Sequence, residues 1–141
     1  MLIRYLDECP EFIAGDHTRL RELLHPDKQP ASIRYSLAHA ILAPGEASTK
    51  HSLTSSEVYY ILSGRGRMNI DNERREVTPG ATIYIPPAAL QWIENIGSEP
   101  LTFLCIVDPA WQAEDEIVLP DRRTDSPDPA RETGKEHDAK S

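Results

Sequence analysis

Between residues 31 and 109 the chain runs in short apolar or alternating stretches, at 33–42, 58–62, 68–70, 81–85, 90–93 and 101–107. Turn-forming groups separate them: Pro44-Gly45, Ser63-Gly64-Arg65-Gly66, Asp71-Asn72, Thr78-Pro79-Gly80, Pro86-Pro87 and Gly97-Ser98. Many short strands punctuated by Gly and Pro predict an all-β sandwich or barrel. No alternation of strands with helical periods supports a parallel α/β sheet. The region holds no internal repeat, no phosphate-cradling glycine loop and no nucleophile elbow.

The two ends read differently. In residues 1–30, Leu20, Leu23 and Leu24 fit a helix face with Asp16 or Thr18 as N-cap, and the same stretch fits an edge strand closed by Pro26. At the other end, residues 121–141 carry six acidic and five basic side chains, two prolines and no large aliphatic or aromatic group. Such a segment cannot bury enough apolar surface to offset the entropy of ordering it, so the expectation is disorder. The cluster Glu114-Asp115-Glu116 marks the approach to the domain edge. The resulting division is an N-terminal extension at 1–30, a barrel at 31–112, and a domain edge with charged tail at 113–141.

Composition narrows the functional classes. The chain has 141 residues, 39% hydrophobic and 27% charged, which suits one compact domain. Fifteen Lys and Arg against 23 Asp and Glu leave a net charge of −8, which repels polyanions and argues against nucleic-acid binding. No apolar run reaches the roughly 20 residues of a membrane span. The first residues meet charge too soon for a signal-peptide core, so a cytoplasmic protein is expected. Cys9 and Cys105 are too few for a disulfide framework and lack metal-ligand spacing. Cys105 sits in an apolar run and reads as a buried thiol.

Candidate chemistry begins with Glu57. Alternation along 57–62 puts Glu57, Tyr59 and Ile61 on one face and Val58, Tyr60 and Leu62 on the other, both largely apolar, as for a strand packed on both sides. An ionised Glu there is costly to bury without a partner, and a cation or Arg would remove the cost.

The spacing around Glu57 then becomes specific. Gly45, His51, Leu53, Glu57 and Gly64 resemble the first motif of the cupin superfamily, G-x5-H-x-H-x3,4-E-x6-G, at four of five positions. Fifteen residues later, Gly80, Pro86, Ala88, Gln91 and Asn95 resemble the second, G-x5-P-x-G-x2-H-x3-N, at three of five. The resemblance implies a single-domain jelly-roll barrel, a homodimer, and a site inside the barrel. It also implies a divalent transition metal, with His51 and Glu57 as ligands. Three departures qualify this: Leu53 cannot ligate, Gln91 offers only a neutral amide oxygen, and Ala88 alters the turn. His39, in an otherwise apolar strand beside the implied site, is the candidate fourth ligand. A set of His39, His51, Glu57 and Gln91 suits Zn, Fe, Mn, Ni or Cu.

Each candidate has a structural alternative: His51 as a hydrogen-bonded residue at the barrel mouth, Glu57 salt-bridged to Arg34, Arg65 or Arg67, Gln91 as a hydrogen-bonding group without metal, and His39 as a satisfied core histidine. Tyr35, Tyr59 and Trp92 serve as substrate contacts or as packing groups, and Leu53 lines the apolar part of the site. Two functions follow. One is non-redox, metal-assisted chemistry of isomerase, epimerase, lyase or cyclase type on a small oxygenated molecule, with Glu57 or His51 shuttling a proton. The other is a metal-free module that binds or senses a small ligand.

Overall fold

The structure is a computed structural model and describes residues 1–120; the expected disorder of 121–141 lies outside them. Eleven strands follow in chain order: β1 (Glu11–Ile13), β2 (Arg19–Leu24), β3 (Ser36–Leu42), β4 (His51–Leu53), β5 (Ser56–Ser63), β6 (Gly66–Ile70), β7 (Glu73–Val77), β8 (Thr82–Ile85), β9 (Gln91–Asn95), β10 (Leu101–Asp108) and β11 (Glu116–Val118). They form two antiparallel sheets. One has six strands in the order β1-β2-β3-β10-β5-β8, the other five in the order β11-β4-β9-β6-β7. The architecture is the two-sheet jelly-roll barrel expected from the turn-punctuated pattern.

Period-two alternation decides which side chains face inward. Along β10, Leu101, Phe103, Cys105 and Val107 are buried while the residues between them are half-covered. Phe103, Ile61, Ile93 and Leu101 are fully buried and meet at the centre of the barrel. The Tyr59 and Phe103 rings lie 4.6 Å apart between centroids. Both faces of β5 are apolar in sequence, yet only Glu57, Tyr59 and Ile61 point into the core. Tyr60 and Leu62 are each 41% exposed on the outer face.

Of the two readings for residues 20–24, the strand is the one observed. β2 pairs with β3, and β1 pairs with β2 as a hairpin that extends the six-stranded sheet. At the far end of the chain, β11 pairs with β4. Residues of the β1–β2 hairpin and Glu116 of β11 line the same cavity.

Two motif positions explain themselves in backbone terms. Gly64 has φ +89, and a Cβ there would come 2.5 Å from the carbonyl oxygen of Pro100, so only glycine fits. Ala88 stands where the motif has glycine and is held at φ 70, a left-handed conformation that strains a residue with a Cβ.

Candidate metal centre

A cavity of about 330 Å³ opens between the sheets, lined among others by His51, Leu53, Glu57, Tyr59, Asp16 and Glu116. β4 aims His51 and Leu53 inward, β5 aims Glu57 and Tyr59, and β9 aims Gln91. His51 and Gln91 are register partners across the β4–β9 pair.

His51 is 2% exposed. Its Nδ1 lies 2.7 Å from the carbonyl oxygen of Thr49, so Nδ1 carries the proton and donates to it. Nε2 then faces the cavity. There it meets Asp16 Oδ2 at 3.5 Å, and ligand atoms of Asp16, His51 and Glu116 all fall within 4.8 Å of one another. Asp16 reaches this point from the turn between β1 and β2. Its Oδ1 accepts hydrogen bonds from the Thr18 backbone N–H (3.1 Å) and hydroxyl (2.7 Å), which leaves Oδ2 for the cavity. Glu116 heads β11, and the neighbouring Trp111 side chain acts to lower its carboxyl.

Glu57 and Gln91 belong to a second arrangement. Gln91 Nε2 donates to Glu57 Oε1 at 3.0 Å, and Tyr59 Oη donates to Gln91 Oε1 at 3.1 Å. Both ends of the Gln91 amide are therefore engaged in hydrogen bonds. Burial pushes the Glu57 carboxyl up to about 8, offset in part by the Gln91 bond and reinforced by the charges of Asp16 and Glu116. Burial also raises Glu116, which His51 lowers and Asp16 raises. Three carboxyls crowd one enclosed space.

The sequence candidates divide accordingly. His51, Glu57, Tyr59 and Leu53 line the cavity, and Gln91 stands behind them, bonded to Glu57 and Tyr59. His39 does not: alternation along β3 turns Ser36, Ala38 and Ala40 toward the interior and His39 toward the outer face, opposite Arg21 on β2. Partial burial and the Arg21 charge hold its pKa down. Tyr35 precedes β3 and is 39% exposed. Trp92 faces outward from β9, with Lys50 Nζ 4.5 Å from its ring centroid. None of the three arginines weighed against Glu57 reaches it: Arg34 pairs with Asp108, Arg65 with Glu76 and Arg67 with Glu94. Asp16 and Glu116 escaped the sequence reading because they lie outside the motif region. Asp16 does have a local signature, since Asp-x-Thr after Gly15 forms a side-chain-capped turn.

The fold is a jelly-roll barrel with a polar cluster inside it. The chain belongs to the cupin domain family, which it matches over residues 38–107. It is 46% identical over 114 residues to uncharacterized protein MJ1618 of Methanocaldococcus jannaschii, covering 80% of this chain and 90% of that one. Among solved structures, a cupin 2 conserved barrel protein from Salinispora arenicola superposes with TM-score 0.68 at 23% identity, covering 81% of this chain and 91% of that one. Bacillus subtilis oxalate decarboxylase OxdC, a protein with Mn(II) centres, superposes with TM-score 0.69 at 25% identity, covering 81% of this chain and 31% of OxdC.

Proposed function

We propose that this cupin holds a divalent cation on Asp16, His51 and Glu116 and performs non-redox chemistry, of isomerase, epimerase, lyase or cyclase type, on a small oxygenated molecule. One observation carries the reading. A buried histidine ring nitrogen and two carboxylates, one buried and one half-buried, converge at the cavity with their ligand atoms within 4.8 Å of one another. Two carboxylates and one imidazole, the latter oriented by a carbonyl behind it, are a donor set that suits a divalent metal. They supply from the chain's two ends the ligands missing at Leu53 and Gln91.

A cation bound there would polarise a substrate carbonyl, hydroxyl or carboxylate. Within the cavity, the Tyr59–Gln91 chain fixes Glu57 Oε1 and leaves Oε2 as the oxygen turned toward the ligand. The raised pKa keeps Glu57 protonated near neutrality, so it gives a proton to a substrate atom and its carboxylate takes one back. Leu53 and Phe103 form the apolar wall. OxdC, with its Mn(II) centres, supports this reading by analogy of fold.

The reading includes a cytoplasmic protein, consistent with two free cysteine thiols among the described residues. It also includes a homodimer through the outer face of the six-stranded sheet, where Tyr60, Leu62 and Tyr84 are exposed. Light scattering that finds only monomer at micromolar concentration overturns the dimer. Calorimetric titration of chelator-stripped protein with Mn(II) and Zn(II) tests the centre. One site is expected in the wild type, weakened at least about tenfold in Glu116→Gln. Unchanged affinity in that variant refutes the ligand set. No binding of either ion favours the metal-free ligand-binding module.

A further inference from the structure

Resting on that centre, we infer that the site takes a neutral or monoanionic ligand with a chelating oxygen head and an apolar body, and rejects phosphorylated sugars. The argument is one of charge and wall chemistry. Among the described residues, the titratable side chains lining the cavity are Asp16, Glu22, Lys28, His51, Glu57, Tyr59, Cys105 and Glu116. Lys28 is the one permanent cation, and its Nζ is already 2.7 Å from Glu22 Oε1. No guanidinium lines the cavity. A divalent cation offsets Asp16 and Glu116 and leaves no positive excess. A phosphate dianion would enter an acidic space with nothing to pair its charge, whereas phosphate sites gather Arg, Lys or helix N-termini.

The wall above the centre is apolar. Phe12 on β1 lies opposite Leu20 on β2, which places both side chains on the same face of the hairpin, and both line the cavity. Trp111, from the segment before β11, also lines the cavity. The same hairpin that delivers Asp16 therefore carries the surface on which a ligand body packs. Phe12 is 48% exposed, so a ligand has apolar area left to cover. Phe12 and Leu20 are specificity-determining residues in this account, and neither reaches the polar cluster.

The test compares 2-hydroxy-4-methylpentanoate with glucose 6-phosphate by calorimetry on Mn(II)-loaded full-length protein, with metal content read by elemental analysis on the same samples. The hydroxy acid is expected to bind at least about tenfold more tightly. Phe12→Ala is expected to weaken it about 5- to 20-fold with metal content unchanged, since the ring sits at a half-open mouth. Glucose 6-phosphate binding as tightly as the hydroxy acid, or Phe12→Ala leaving its affinity unchanged, overturns the inference while the metal reading stands. Protein that takes up no metal overturns both.

Discussion

Replacing Glu57 with glutamine removes a buried acid while keeping an acceptor for Gln91 Nε2, and the consequence is a change in how stability depends on pH. In the folded chain the Glu57 carboxyl is raised from 4.5 to about 8. That rise corresponds to about 5 kcal/mol between the protonation states. Below about pH 4.5 the folded and unfolded chains both hold the proton, and the group contributes nothing to the pH slope. Between 4.5 and 8 the folded chain keeps the proton and the unfolded chain has lost it. Folding is therefore progressively disfavoured as pH rises, and the full cost is reached above 8. Glu116 acts in the same direction in both proteins. Denaturant titrations of chelator-treated protein at pH 5 and pH 8.5 provide the assay. The two proteins should agree within about 1 kcal/mol at the lower pH, and the variant should be about 2–5 kcal/mol more stable at the higher one. Parallel pH profiles would refute the claim that Glu57 is an enclosed acid.

Asp16→Asn keeps Oδ1 for the Thr18 turn and removes one ligand charge. Cation at about a hundred times its Kd should add about 2.7 kcal/mol to the wild type, a rise of about 10 °C in melting temperature, and little to the variant. An equal rise in both would remove Asp16 from the ligand set. Phe103→Ala empties a fully buried ring site against Tyr59 and should cost about 3–5 kcal/mol by denaturant titration. A loss below about 1 kcal/mol would contradict the core described above. Ala88→Gly relieves a left-handed alanine and should stabilise the chain by about 0.5–1 kcal/mol, read as a higher melting temperature. A lower one would show that the turn carries no strain.

The β10 run at 101–107 shows how directly sequence spoke to fold, because one strictly alternating face becomes the core. The motif spacing was informative for the same reason: His51, Glu57 and Gln91 sit at inward positions of three strands that meet across the barrel. β3 was harder. Tyr35, Leu37 and His39 share a parity, and Leu37 and Ile41 are larger than the inward Ser36, Ala38 and Ala40, so size alone points to the wrong face. Pairing between β2, β3 and β10 settles it, and a single sequence does not display that register. Asp16 and Glu116 stand 35 and 65 residues from His51 in the chain. Only the docking of the β1–β2 hairpin and of β11 brings them together, and neither segment has a periodicity that announces a ligand. The substitutions at Leu53 and Gln91 were legible, but the convergence of Asp16 and Glu116 on His51 was not.

The central claim is that Asp16, His51 and Glu116 together hold a metal ion, and elemental analysis of untagged protein after incubation with divalent cations and exhaustive dialysis tests it most directly. Wild type and His39→Ala should each retain about one equivalent of a single divalent metal, and Asp16→Asn and His51→Ala should retain almost none. Metal absent from the wild type, or kept in full by Asp16→Asn, would contradict the account.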